Sequence, residues 1–446
     1  MLLLNTSMTE ISISAFSLIP FVLMLAAIAV FPLAASHFWE TNKNKLIVSC
    51  ILSVPVIIYL AYTSLSISLF NTMVFDYIPF IILLGSLFII TGGIFVDGDI
   101  EAKPAVNTLF LAIGALLASF MGTTGAAMLL IRPIIHTNKE RKFKVHTILF
   151  FIGIIANCGG LLTPLGDPPL FMLYLRGAPF EWFLNLAPMW AFANGLLLII
   201  YYFIDSFHYK REAKEDIKMD KMNQIPISIK GKWNFVWLLG VILSVAFLNK
   251  QYLPFITDEG IGKLLGFTRE VTIALMAILS LAMTSKTIRE SNKFTWSPIV
   301  EVAYLFFGIF ITMVPCILYL ETNAVKLGIV SATQFYFSAG GLSSILDNTP
   351  TAVTFHSLAL GLSSQFDTLF EGIPLVAGIP VTLLKAISVG AVFFGSLTYI
   401  GNGPNFMVKA IAEENNIKMP DFFRYIFKFS MLVLFPIFVL VYLIFI

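Results

Sequence analysis

The sequence predicts an all-α polytopic membrane protein made of two inverted-topology repeats. Each repeat has about five transmembrane helices, one re-entrant hairpin and one broken helix. Three observations carry this expectation. Hydrophobic residues make up 58% of the 446 and charged residues only 12%, whereas soluble domains carry about a quarter charged residues. Uncharged stretches run over 15–35, 46–75, 77–96, 186–204, 233–249, 302–320 and 429–446, and roughly 20 apolar residues cross a bilayer. The chain also resembles itself. TPLGDPPLFM at 163–172 and TYIGNGPNFM at 398–407 agree at five of ten positions, 235 residues apart. TTGAAM at 123–128 aligns with NTPTAV at 348–353 at an offset of 225, and Gly93-Ile94-Phe95 with Gly308-Ile309-Phe310 at 215. Three matches in one order, with evenly drifting offsets, indicate a duplication.

Taken in order, the N-terminal repeat (1–205) holds helices near 15–35, 46–69 and 77–96. A hairpin at 105–135 follows, interrupted at Gly122-Thr123-Thr124-Gly125, then a broken helix at 147–175 and a last helix at 186–205. No basic region precedes 15–35, so that segment reads as a retained helix and not a cleaved signal. A cytoplasmic linker covers 206–232. The C-terminal repeat (233–446) holds helices near 233–249, 270–285 and 300–320, a hairpin at 331–361 interrupted at Asp347-Asn348-Thr349-Pro350, a broken helix at 382–412 and a final helix at 422–446. Five spans plus one re-entrant hairpin turn each half over, so the second enters from the other face.

Basic residues mark cytoplasmic loops. They gather at 136–146 (Lys139, Arg141, Lys142, Lys144), at 206–232 and at 286–293 (Lys286, Arg289, Lys293). The opposite side then holds 176–185, 250–269 and 362–380, the last with Asp367 and Glu371 and no base. A net charge of +2 argues against a nucleic-acid surface. Cys50, Cys158 and Cys316 lie in apolar segments at no metal-ligand spacing and read as packing residues. With no HExxH pair, no GxSxG turn and no His or Cys cluster, an intramembrane enzyme is disfavoured, and no cofactor is expected.

The two broken helices mark the site. Non-helical backbone survives at membrane depth only inside protein or beside a wet cavity, and proline and glycine force the break. Asp167 and Asp347 fall in these breaks. An ionised carboxylate at that depth costs at least about 2.5–3.5 kcal/mol and so must be paired, hydrated or protonated. One such group can exchange a proton for a sodium ion. Asn348, Thr349, Thr351, Asn157, Thr163 and Asn402 offer neutral oxygens to an alkali cation. Thr123, Thr124, Ser396, Thr398 and Asn405 share the same broken segments and join the candidate set. A sodium site is expected at Asp347, Asn348, Thr349 and Asn157. Asp167, followed by Pro-Pro, could instead cap the half-helix after it. Arg132 and Lys385 are possible charge partners, though both also suit interfacial anchoring. His356 reads as packed and neutral.

At these motifs (MGTTGAAM, LDNTPTAV, NCGGLLTPLGDPPLFM and GSLTYIGNGPNFM), the chain resembles the ion transporter superfamily, and within it the NhaD-type sodium/proton antiporters. That superfamily also holds ArsB-type arsenite carriers, citrate carriers and divalent anion/sodium symporters. The resemblance implies a homodimer in the bacterial inner membrane, with a static scaffold and a transport domain of hairpins and broken helices moving as an elevator. In the divalent-anion branch, Ser-Asn-Thr triplets at the hairpin tips hold sodium and carboxylates; here the tips read Gly122-Thr123-Thr124 and Asp347-Asn348-Thr349. A fixed carboxylate there repels a dicarboxylate and attracts a cation. The expected function is thus sodium (or lithium)/proton antiport, with a citrate or other carboxylate carrier as the competing reading. The expected partners are membrane lipid and small cations.

Overall fold

The computed structural model describes residues 13–257, 260–365, 370 and 372–446. Asp367 and Glu371, used above for orientation, lie outside the described residues. Among the described residues, nine helices are long and apolar enough to cross a membrane, and strand is confined to two short two-stranded pairs. The protein is an all-α, multi-pass membrane protein.

We label the main helices α1 (Ile19–Ala34), α2 (Asn42–Tyr62), α3 (Ile78–Thr91), α4 (Pro104–Met121), α5 (Thr123–Thr137), α6 (Val145–Ile154), α7 (Pro168–Leu175), α8 (Ala187–Tyr209), α9 (Lys214–Met222), α10 (Trp233–Phe247), α11 (Thr268–Met283), α12 (Ser297–Asn323), α13 (Ala332–Ile345), α14 (Asn348–Gln365), α15 (Val381–Phe394), α16 (Gly403–Glu414) and α17 (Phe435–Phe445). Strands β1 (Phe95–Asp99) and β2 (Ile225–Lys230) pair antiparallel.

Two boundaries differ from the sequence expectation. The helix expected at 46–69 ends at Tyr62, and a new one begins at Ser66 and runs through a π-helical turn (Thr72–Tyr77) into α3. Ser64 takes a positive φ of 59° between them, a break made without glycine or proline and so invisible to composition. The helix expected to reach residue 96 stops at Thr91, where Gly92-Gly93 end it, and the chain continues as β1. β2 comes from the linker, which therefore carries regular structure (α9 and β2) and docks on β1, itself packed against α5.

The helices pack as two sets. One joins α1, α2, α3, α10, α11 and α12; the other joins α4–α8 with α13–α17; the sets meet mainly where α14 lies on α12 and α5 on α3. Burial follows this layout. Over an apolar stretch of 18 residues, the span Val145–Leu162 is 78% buried and the one within Ser297–Leu327 67%, against 22% for those within Ala15–Pro32 and Gly260–Met283. Helices apolar all round but buried belong to the interior, and those with exposed apolar faces meet lipid.

Candidate functional site

Four helix starts converge between the two sets. α4 ends at Gly122, whose φ of 81° needs glycine, and α5 begins at Thr123. α13 gives way to extended Leu346, and α14 begins at Asn348. After α6 the chain unwinds through a short 3-10 turn (Cys158–Leu162), and α7 starts behind Asp167. After α15 it unwinds through Gly395–Leu397, and α16 starts behind Asn402. Prolines stand in the first turns of both α7 and α16, where their missing N–H costs nothing. The two N-cap residues share nearly the same backbone, φ −144°, ψ 140° for Asp167 and φ −150°, ψ 138° for Asn402.

Asp167 is the centre. Its carboxylate, 1% exposed, accepts hydrogen bonds from Thr123 Oγ1 (2.8 Å), Asn348 Nδ2 (2.6 Å) and Asn402 Nδ2 (3.2 Å). Each donor stands at the start of a different helix. Helix N-termini carry unpaired N–H groups and about half a positive charge, so the junction holds negative charge without a basic side chain. Asn402 also donates to Ala156 O (3.1 Å) and Asn157 Oδ1 (3.2 Å), and Asn157 donates to Asn405 Oδ1 (2.7 Å). Asn405 in turn closes the carbonyls of Gly395 and Thr398 at 2.8 and 2.9 Å. A continuous line of amides thus runs from one broken helix to the other through Asp167.

The same bonds recur at the spacing of the sequence repeat. Thr163 donates to Ser119 O and accepts from Leu165 N (3.2 Å); Thr398 donates to Ser344 O and accepts from Ile400 N (3.2 Å). Chain crossings match as well. A Cβ on Gly166 would lie 2.0 Å from Gly160 O, and one on Gly401 2.7 Å from Gly395 O. Thr123 and Asn348 occupy matching positions, as do Asp167 and Asn402, and all four meet.

Asp347 sits differently. Its Oδ1 accepts the Thr349 N–H at 2.9 Å, which caps α14. Asp167 makes no such side-chain capping bond to α7; the three donors across the gap hold its carboxylate instead. Asp347 also lines a cavity of about 100 Å³, with Thr123, Thr124, Asn348, Thr349 and Asn402 on one wall and Leu84, Phe88, Ile299, Val302 and Phe306 of α3 and α12 on the other. Among the described residues this lining holds one carboxylate and no base. Asp167 lies just behind the polar wall.

The other candidates are placed as follows. Thr351 donates to Asp347 O (3.0 Å). Asn157 shares no hydrogen bond with Asp347 and joins the junction through Asn402. Ser396 turns away, donating to Phe393 O (2.6 Å). Arg132 has Glu414 as its acidic neighbour and not a site acid, because nine residues of α5 carry it about 13 Å from Thr123. Lys385 lies in α15 about 15 Å of helix before the break at Gly395. His356 is buried, its Nε2 3.0 Å from Ala377 O.

Two polar clusters escaped the sequence reading. Asp205 of α8 receives Arg141 (2.7 Å), His146 (2.8 Å) and Asn107 (3.2 Å), tying the base of the α4–α5 hairpin to α6 and α8. Arg176, at the C-terminal end of α7, reaches Asp76 and Ser357. Asp205 and Asp76 each interrupt or end a long apolar run, which is the one signal the sequence offered for them.

The family model described as "Putative citrate transport" matches residues 10–446. A stretch of 145 residues is 30% identical to an uncharacterized transporter of Methanocaldococcus jannaschii; the aligned part takes in 29% of this chain and 40% of that protein's length.

Proposed function

The chain belongs to this citrate-transport family of membrane transporters, and from that premise we propose that it is a secondary active antiporter, exchanging sodium or lithium for protons at the Asp167 junction. The observation that carries the reading is the cavity wall: one carboxylate, several neutral oxygens and no base face the space, with a second carboxylate directly behind. A multiply charged carboxylate substrate would meet only like charge from side chains there, and an alkali cation would meet attraction and hard oxygen ligands. Asp347 receives the cation, Asn348 and Thr349 ligate it, and Asp167 exchanges a proton against it.

The recurrence of hydrogen bonds at the repeat spacing supports two inverted-topology repeats. The two helix sets support an elevator, with α4–α8 and α13–α17 moving on the rest. NhaD-type antiporters remain the nearest functional analogy, in a homodimer of a bacterial inner membrane.

A carboxylate carrier coupled to sodium or protons is the second reading. It is favoured by the family's description and by four helix N-termini that bring partial positive charge to one place. Uptake of radioactive sodium into acid-loaded proteoliposomes separates the two readings. Antiport predicts sodium accumulation driven by the outward proton gradient. Accumulation of labelled citrate, without gradient-driven sodium uptake, would reverse the choice.

A further inference from the structure

A second cavity, about 430 Å³, lies at the other end of the Asp167 half-helix. α7 has eight residues and so is about 12 Å long. Asp167 stands at its start and Arg176 just past its end. Arg176 lines the second cavity with Phe75, Pro79, Tyr174, Arg269 and Glu270. The first cavity touches α3 at Leu84–Phe88, and the second touches the opposite end of that helix at Phe75–Pro79. The two spaces therefore lie at opposite ends of α3, with α7 between them.

Arg176 is held by partners from both helix sets. Its Nη2 is 3.7 Å from Asp76 Oδ2, in the π-helical turn that precedes α3, and its Nη1 donates to Ser357 Oγ of α14 at 3.3 Å. The chain Asp76–Arg176–Ser357 thus joins one set to the other. It is not an optimised structural bridge. Arg176 Nε is buried and meets no acceptor among the described residues, and no bidentate fork forms, although guanidinium and carboxylate favour one. Partly satisfied buried networks give way more readily than complete ones, and π-turns often mark functional positions.

The geometry points to Arg176 as a positioning residue: through Asp76 and Ser357 it fixes the far end of α7, and this keeps the Asp167 junction turned towards the first cavity and closed to the second. The inference rests on the transport reading above. When α7 moves with its helix set, Arg176 leaves Asp76 and the junction becomes reachable from the second cavity.

The test uses sidedness of labelling in the full chain, reconstituted in proteoliposomes. Gly403 lines the first cavity, and a Cβ there meets nothing within 4 Å, so G403C in a C50S background reports on access to the junction. A membrane-impermeant thiol reagent is added to either face in turn. The parent labels from one face. R176Q and D76N, which break the clamp from opposite ends, shift the ratio of labelling rates between faces by roughly tenfold, while R176K keeps the parent's sidedness. Equal labelling of the parent from both faces overturns the inference, as does unchanged sidedness in D76N; should R176Q fail to fold, D76N decides alone. Sodium-driven proton movement is measured separately in the protein without G403C. Its absence rejects the ion assignment and leaves the labelling result to judge the clamp.

Discussion

Replacing Asp167 separates folding from coupling. The carboxylate accepts three hydrogen bonds in a site 1% exposed. Bonds to a charged group contribute about 1.5–3 kcal/mol each against about 0.5–1.5 for neutral pairs. D167N therefore weakens the trio by roughly 3 kcal/mol, while removing a buried charge whose desolvation costs several kcal/mol. The two effects nearly cancel, because the side chains of Thr123 and Asn348 can turn to present acceptors to the new amide. D167A differs. It leaves Thr123 and Asn348 without an acceptor at about 1–3 kcal/mol each, while Asn402 keeps Ala156 O and Asn157 Oδ1; the loss is still a large fraction of the stability of many proteins. D167N is thus expected to express and melt close to the parent in detergent, while sodium-driven proton movement in proteoliposomes falls at least a hundredfold, since no exchangeable proton remains. D167A is expected to be recovered poorly. D167N with exchange above a tenth of the parent, or D167A as stable as the parent, would refute the reasoning.

Three further outcomes follow from the geometry. D347N keeps a capping residue on α14 but removes the only carboxylate described in the first cavity; the apparent KM for sodium rises about tenfold, or about 1.4 kcal/mol, with the melting temperature unchanged. In the linker, burial pushes the Asp220 carboxyl up to about 6, and it accepts the Ala102 N–H at 3.0 Å. Against an unfolded value of about 3.9, docking takes up a proton between about pH 4 and 6 and weakens as pH rises through that window; hydrogen-exchange protection factors in α9, corrected for the intrinsic rate at each pH, should be higher at pH 5 than at pH 7.5, and D220N should abolish the difference. G166A places a Cβ 2.0 Å from Gly160 O, whereas G403A meets open space. The first lowers the melting temperature, by several kcal/mol in stability if the crossing must open; the second leaves it unchanged.

The membrane spans were legible because apolar length is a direct requirement of the bilayer, and the chain breaks because glycine and proline make them. Spacing placed Thr123 opposite Asn348 and Asp167 opposite Asn402 in the alignment, but an alignment does not show that matched residues touch. The division of labour between the acids was beyond the sequence, since Asp167 before Pro-Pro and Asp347 before Asn-Thr-Pro are both good caps on paper. Which one caps depends on donors 44 and 181 residues away, namely Thr123 and Asn348. The break at Ser64 was hidden because nothing in its residue type requires a positive φ. Arg176 looked like a loop residue because its partners, Asp76 and Ser357, come from distant parts of the chain.

The most direct measurement of the central claim is proton movement in proteoliposomes of the purified protein, under an imposed pH gradient and read by a trapped fluorescent dye. Sodium or lithium salt should collapse the gradient within the dead time of a simple mixing experiment, while potassium salt and citrate at the same ionic strength should not. Collapse by citrate alone, with sodium and lithium inert, would contradict the account.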